Sequence, residues 1–227
     1  MIFDLFGTLV DDFSFTEYRL MLSEMAAAVS IGLEDLERLW VDTFDARTKG
    51  LFATIEANIE HICRALGVSA PADRIAAAAL IRRDFTRRSL SPKPDAVQTL
   101  AQLKASGYKT GLISDCSPEV PALWAETPFA PLVDVPVFSA AAGVKKPDPR
   151  IYLLACERLE VRPQDCLYVG DGSSRELTGA SQVGMYAVLI SVAYEEVFDS
   201  YAAYRREARD WKGPAISALS DVLALLQ

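Results

Sequence analysis

Ile2-Phe3-Asp4-Leu5-Phe6-Gly7-Thr8-Leu9 sets the frame for the whole chain: a short apolar run breaks into an aspartate and then a glycine turn. The same plan returns at Cys166 to Val169, which runs into Gly170-Asp171-Gly172, and in hydroxyl form at Thr110 to Ile113, which runs into Ser114. Apolar runs without polar alternation mark strands buried on both faces, as in a parallel sheet covered by helices. Val133 to Phe138 and Tyr186 to Ile190 are two more. Helical patterns separate most of these runs. Val97, Leu100 and Leu103 share a face after Pro94, while Asp148-Pro149 and Ser117-Pro118 each place a cap residue before a proline at the first helical position. Ile216, Leu219, Leu223 and Leu226 fall on one side of a last helix. Strand alternating with helix from about residue 95 onward predicts an α/β fold, a Rossmann-like parallel sheet with helices on both faces.

Residues 13–90 break that rhythm, with helical periodicity and no convincing strand. Leu36, Leu39, Trp40, Thr43 and Phe44 follow amphipathic spacing, as do Ile55, Ile59, Ile62, Cys63 and Leu66 before Gly67 stops the helix. An all-helical insertion with its own apolar core is expected. Ser91-Pro92-Lys93-Pro94 is the expected return hinge, since each proline disfavours helix in the residue before it. The division expected is a core of residues 1–12 and 91–227 and a helical domain of residues 13–90.

Composition narrows the function classes. Of the 227 residues 51% are hydrophobic and 24% charged, the profile of a folded globular chain. Thirty-one acidic against 23 basic side chains leave a net charge of −8, which repels nucleic acid and anionic membrane surfaces. Neither is an expected partner; a small molecule is. The chain has no basic stretch leading into an apolar run and no membrane-length apolar stretch. Its four cysteines, Cys63, Cys116, Cys156 and Cys166, form no CxxC pair, so a cytoplasmic location is expected. The single histidine, His61, excludes multi-histidine metal sites and leaves little room for a Ser-His-Asp triad. Catalysis then falls to carboxylates, hydroxyls and lysines.

Four groups coincide with strand ends, where open α/β sheets hold their ligands. Asp4 can act as a nucleophile, and the backbone N–H groups that follow it can receive an anion. Ser114 can donate to a bound oxyanion or cap the helix after it. Lys146, in Gly143-Val144-Lys145-Lys146-Pro147-Asp148-Pro149, is a cation held near a helix start by a proline-restricted loop. Gly170-Asp171-Gly172-Ser173-Ser174-Arg175-Glu176 supplies two further carboxylates. Carboxylates converging with Asp4 in a partly buried cleft repel one another, and a divalent cation is the natural compensation. An oxygen-only shell favours Mg²⁺ over zinc.

Together these fragments resemble the haloacid dehalogenase-like hydrolase superfamily. Its motifs are an Asp-x-Asp-Gly-Thr-like strand end, a Ser/Thr strand end, a Lys often followed by Pro, and a Gly-Asp with a second acid. The resemblance covers almost the whole chain, because the helical insertion looks like the cap domain of many members. It implies a covalent aspartyl intermediate on Asp4 and phosphoryl binding by Ser114 and Lys146, with Phe6, Gly7, Thr8 and Asp115 around the substrate. It also implies Mg²⁺ held by Asp4, the Phe6 carbonyl and Asp171, with Glu176 acting mainly from behind them.

The sequence departs from the pattern at Phe6. Phosphatases of the family usually carry a second aspartate there, which protonates the leaving alkoxide and later activates water; general acid–base catalysis of this kind contributes about 10²–10⁴-fold. Haloacid dehalogenases have an aromatic residue at this position, because a departing halide needs no proton, yet they need no metal and lack the acidic Gly-Asp motif. Phosphonoacetaldehyde hydrolases also lack the second aspartate and use a cap lysine, for which Lys49 is the sole lysine between residues 13 and 90. A binding or regulatory protein that has lost turnover is a further alternative. The retained Asp4, Lys146, Asp171 and Glu176 favour a Mg²⁺-dependent phosphatase acting on a small phosphorylated metabolite. Arg82, Arg83, Arg87 and Arg88 are expected to form a solvated helix face, His61 a surface or cap-packing position, and Trp124 and Trp211 structural ones. Cys116 lies near the expected cleft with no base to activate it.

Overall fold

A computed structural model of the protein describes residues 1–191 and 206–226. Ile2–Phe3 (β1), Gly111–Ser114 (β2), Val135–Phe138 (β3), Leu167–Gly170 (β4), Tyr186–Ile190 (β5) and Ala215–Ile216 (β6) form one sheet in the order β3-β2-β1-β4-β5-β6. Every neighbouring pair is parallel. Phe3 is in register with Leu112 on one side and Val169 on the other, so Asp4, Ser114 and Asp171 leave the sheet along the same edge. The chain reverses its direction of growth between β1 and β4, and that switch point opens a crevice at the carboxyl ends.

The apolar runs serve both faces because strand side chains alternate. Phe3, Leu112, Val169 and Val188 pack with Leu100 and Leu103 of the helix Ala96–Ala105 on one face. Ile2, Ile113, Tyr168 and Leu189 pack with Ile151, Tyr152 and Ala155 of the helix Pro149–Leu159 on the other. Asp148 caps that second helix through its Oδ1, which accepts from the Arg150 N–H at 2.9 Å. Ser117 does not cap the short helix Glu119–Leu123, which starts after Pro118; its hydroxyl instead accepts from Arg47.

The C-terminal apolar spacing resolves differently from the expected helix. Ile216 belongs to β6, and Leu219–Leu226 form 3₁₀ turns whose first backbone N–H neighbours, Ser217 and Ala218, are held by Asp221 at 3.1 and 3.0 Å. Ile216, Leu219 and Val222 still reach the core, because a strand residue followed by tight turns meets the same three-to-four-residue spacing as a helix.

Phe15–Ala28 (α1), Leu33–Asp42 (α2), Phe44–Thr48 (α3), Ile55–Ala65 (α4) and Ala72–Ser89 (α5) make the helical layer. Met25, Leu36, Trp40, Ile59, Ile62 and Phe85 are buried in a cluster drawn wholly from this part of the chain. Thr43 separates α2 from α3, its hydroxyl donating back to the Leu39 carbonyl at 2.8 Å. Arg82 departs from the expected solvated face. It is 5% exposed, pairs with Glu119 at 2.8 Å and packs against the rings of Tyr18, Trp40 and Phe85, while Arg87 and Arg88 stay exposed. No helix among the described residues is long and apolar enough to cross a membrane.

Candidate active site

The loop after β1 is wound around one carbonyl. Leu5 O accepts from the N–H groups of Thr8, Leu9 and Val10 at 3.3, 2.8 and 3.0 Å, which turns the chain sharply under Asp4. Gly7 makes this turn with φ +79°, and a Cβ there would collide with the Asp171 carboxylate. The first and last sequence motifs are thus packed against each other through a missing side chain. Gly170 serves the same purpose one strand over, where a Cβ would strike the Glu176 carboxylate.

Lys146 is the hub. Its ammonium donates to Asp4 Oδ1 and Glu176 Oε2, both at 2.5 Å, and its side chain is 2% exposed. Thr8 Oγ1 donates to the other Asp4 oxygen at 3.3 Å, while Asp115 Oδ1 accepts the Lys146 backbone N–H at 2.9 Å. Glu176 is fully committed to hydrogen bonds: its Oε2 also accepts from the Tyr168 hydroxyl at 2.8 Å, and its Oε1 from the Gly172 N–H at 3.0 Å. Asp171 Oδ1 accepts from the Ser173 N–H at 2.9 Å. The Ser114 hydroxyl is wholly buried and finds no hydrogen-bond partner among the described residues, which leaves it able to donate to an incoming oxyanion.

Burial pushes the Asp4 carboxyl up to about 6 even though the adjacent Lys146 pulls it down. Burial and the nearby Asp4 charge likewise push Glu176 well above the carboxylate range, and burial raises Asp115. Burial acts in the opposite sense on Lys146, but the charges of Asp4, Glu176 and Asp115 outweigh it and hold the ammonium firmly protonated. Asp4, Asp171 and Glu176 each bring an oxygen within 4.8 Å of the other two. Asp4, Asp171, Glu176 and Asp115 outnumber the two nearby ammoniums, Lys146 and Lys93, a crowding of acids that a hard, oxygen-seeking divalent cation fits. Asp4 and Asp171 are the better candidates to hold it: the Asp171 carboxylate lies against the Gly7 turn that follows Asp4, whereas Glu176 also receives the Tyr168 hydroxyl and the Gly172 N–H beside Lys146.

The ring of Phe6 is half-buried and lies 4.7 Å from that of Phe13, which in turn stacks near Phe85 at 5.5 Å. An aromatic wall from the helical layer therefore closes over the position where an acid is usually expected. Lys49 pairs with Asp45 at 2.7 Å, and Lys145 pairs with the same carboxylate at 2.9 Å, so of the two adjacent lysines it is Lys146 that enters the cluster. Burial drives the Cys116 thiol far upward, away from the thiolate a nucleophile needs. His61 is exposed beside Phe52.

Three contributors have no mark in the sequence reading. Tyr168 occupies an apolar strand, and its buried hydroxyl had to find a partner, which is the one clue a strand tyrosine gives. Lys93, within the expected hinge, donates to Gly7 O at 2.6 Å. Arg47, 1% exposed, joins the helical layer to the loop after Ser114 by donating to Asn58 Oδ1 at 2.9 Å, Trp40 O at 3.1 Å and Ser117 Oγ at 3.2 Å.

Comparison with known proteins returns one family model, haloacid dehalogenase-like hydrolase, over residues 1–184. A glyceraldehyde 3-phosphate phosphatase from Methanopyrus kandleri is 31% identical over 136 residues, 59% of this chain and 58% of that protein. An (S)-2-haloacid dehalogenase from a Pseudomonas strain is 33% identical over 139 residues, 60% of this chain and 57% of that protein. The matched part thus spans less than two thirds of these relatives. The crystal structure of a HAD phosphatase from Thermococcus onnurineus shares the fold, with a TM-score of 0.63, 21% identity and coverage of 99% of this chain and 96% of that one.

Proposed function

Because the chain belongs to the haloacid dehalogenase-like hydrolase family, we propose that this hydrolase is a Mg²⁺-dependent phosphatase of a small phosphorylated metabolite, working through an aspartyl-phosphate on Asp4. The observation that carries the reading is the crowding of acids beyond the strand ends: Asp4, Asp171 and Glu176 bring oxygens within 4.8 Å of one another, and Lys146 pairs with two of them, Asp4 and Glu176. A site that displaces halide has no use for that crowding, whereas a site that receives a phosphoryl dianion needs a bound cation to offset it. The cation, held by Asp4, Asp171 and the Phe6 carbonyl, would supply charge compensation between the carboxylates and the incoming phosphoryl oxygens. Glu176 orients Lys146 from behind. The helices of residues 13–90 act as a cap over the crevice, in a cytoplasmic enzyme.

In this scheme an Asp4 oxygen attacks phosphorus, and the bond from phosphorus to the leaving oxygen breaks. Lys146 and the Ser114 hydroxyl donate to the phosphoryl oxygens, and the backbone N–H groups after Asp4 line the same pocket. Water then attacks the acyl phosphate at phosphorus and returns the free carboxylate. Phe6 can neither protonate the leaving group nor accept a proton from that water. A dehalogenase reading draws on the same residue, since the Phe6 and Phe13 wall suits an apolar substrate and a leaving group that needs no proton.

The test follows from that deficit. Across a series of phosphate monoesters with saturating Mg²⁺, kcat/KM, which reports the first step, is expected to fall steeply as leaving-group pKa rises. Phe6→Asp should flatten the slope and favour alkyl phosphates most, by up to the roughly 10²–10⁴-fold that acid catalysis supplies. Loss of the packing against Phe13 should cost a few kcal/mol of stability. A shallow slope in the native enzyme, unchanged in the variant, would show that another group donates the proton.

A further inference from the structure

We propose that Cys156 and Cys166 form a redox modification site, closing into an intramolecular disulfide when the protein meets hydrogen peroxide. Cys156 lies in the second half of the helix Pro149–Leu159, Cys166 stands directly before β4, and their sulfurs are 3.8 Å apart. That is van der Waals contact. A disulfide requires about 2.05 Å, so closing the bridge requires the sulfurs to approach by about 1.8 Å. The other two cysteines do not compete: Cys63 is packed in the helical layer and Cys116 on the opposite face of the sheet.

Both cysteines are buried in the structure as it stands. Cys156 and Cys166 are 3% and 4% exposed, and one turn, Pro163–Asp165, flanked by the exposed Arg162 and Asp165 pair, lies between them in the chain. Cys166 Sγ also lies 3.3 Å from the Arg162 carbonyl, to which it can donate. Either sulfur can donate to the other; accepting from the Cys156 thiol lowers the Cys166 thiol against the upward push of burial, and we assign Cys166 as the attacking sulfur. The Cys166 thiolate attacks one peroxide oxygen, the O–O bond breaks, and with one proton the products are a sulfenic acid and water. The Cys156 sulfur then attacks the sulfenyl sulfur, and its thiol proton leaves with the hydroxyl as a second water. Two thiols and one peroxide become one disulfide and two waters. The bridge ties the helix that follows Lys146 to the strand that leads into Asp171.

The measurement is intact mass, thiol count and peptide mapping of the native protein after peroxide, with glutathione in the same tube as a control. The protein should lose the mass of two hydrogens and retain two of its four thiols after denaturation, with dithiothreitol restoring all of them. Trypsin, cutting at Arg158, should release the peptides of Cys156 and Cys166 joined by a bond that dithiothreitol breaks. Cys156→Ser should instead take up oxygen at Cys166 and form no bridge. Four reactive thiols in a sample whose glutathione is fully oxidised would overturn the proposal. So would a bridge to Cys63 or Cys116, or loss of two hydrogens by the Cys156→Ser protein.

Discussion

Asp4→Asn is expected to lower turnover by roughly 10⁴–10⁶-fold while leaving the protein folded, because an amide at this position cannot form the acyl phosphate. The charge balance makes the second half of that statement as specific as the first. Removing a buried carboxylate normally strands its cation, but Lys146 keeps its 2.5 Å partner Glu176. The change also relieves repulsion among three crowded acids, and burial already disfavours the ionised form of Asp4. The metal-free variant should therefore melt at or above the temperature of the native protein. Thermal melts read beside phosphate release separate the two effects. Substantial turnover by well-folded Asp4→Asn would remove the covalent mechanism from this chain.

Asp171→Asn should abolish measurable Mg²⁺ binding in calorimetry. Glu176→Gln should weaken it by about the 10–100-fold typical of groups that orient ligands without touching the metal. The contrast rests on position. Glu176 accepts from Lys146, Tyr168 and the Gly172 N–H, three donors that tie its carboxylate to positioning the lysine. Asp171 lies directly across from Gly7, where the absence of a side chain lets its carboxylate lie against the Asp4 loop. Magnesium affinity in Asp171→Asn equal to that of the native protein would refute the assignment. A larger loss in Glu176→Gln would reverse the roles of the two acids.

What could be read from the sequence is what local chemistry encodes. Asp4, Ser114 and Asp171 sit where apolar runs end and Lys146 in a proline-bounded loop, with Glu176 following Asp171 at the start of the next helix, and parallel strands bring such ends to one edge whatever the details of packing. The parallel sheet itself followed from apolar runs with no polar alternation. Arg82 shows where this reasoning stops. With Arg83, Arg87 and Arg88 it reads as part of a cationic helix face, and nothing near it in the chain announces Glu119, the partner that makes its burial tolerable. Arg47 is hidden in the same way, since its partners come from Trp40, Asn58 and the loop after β2. The C-terminal segment failed for a different reason. Apolar residues at Ile216, Leu219, Leu223 and Leu226 suit a helix and a strand with 3₁₀ turns equally well, and pairing of Ile216 with Ile190 decided between them.

The reading of the site stands or falls on which bond the enzyme breaks and whether a metal is needed. A side-by-side assay settles it: phosphate release from an acyl phosphate and from nitrophenyl phosphate, and halide release from a 2-haloacid, each with Mg²⁺ and with chelator. The account predicts phosphate release that disappears with chelator and returns with Mg²⁺, and no halide release under either condition. Halide release that persists in chelator, with no phosphate released from any ester, would contradict it.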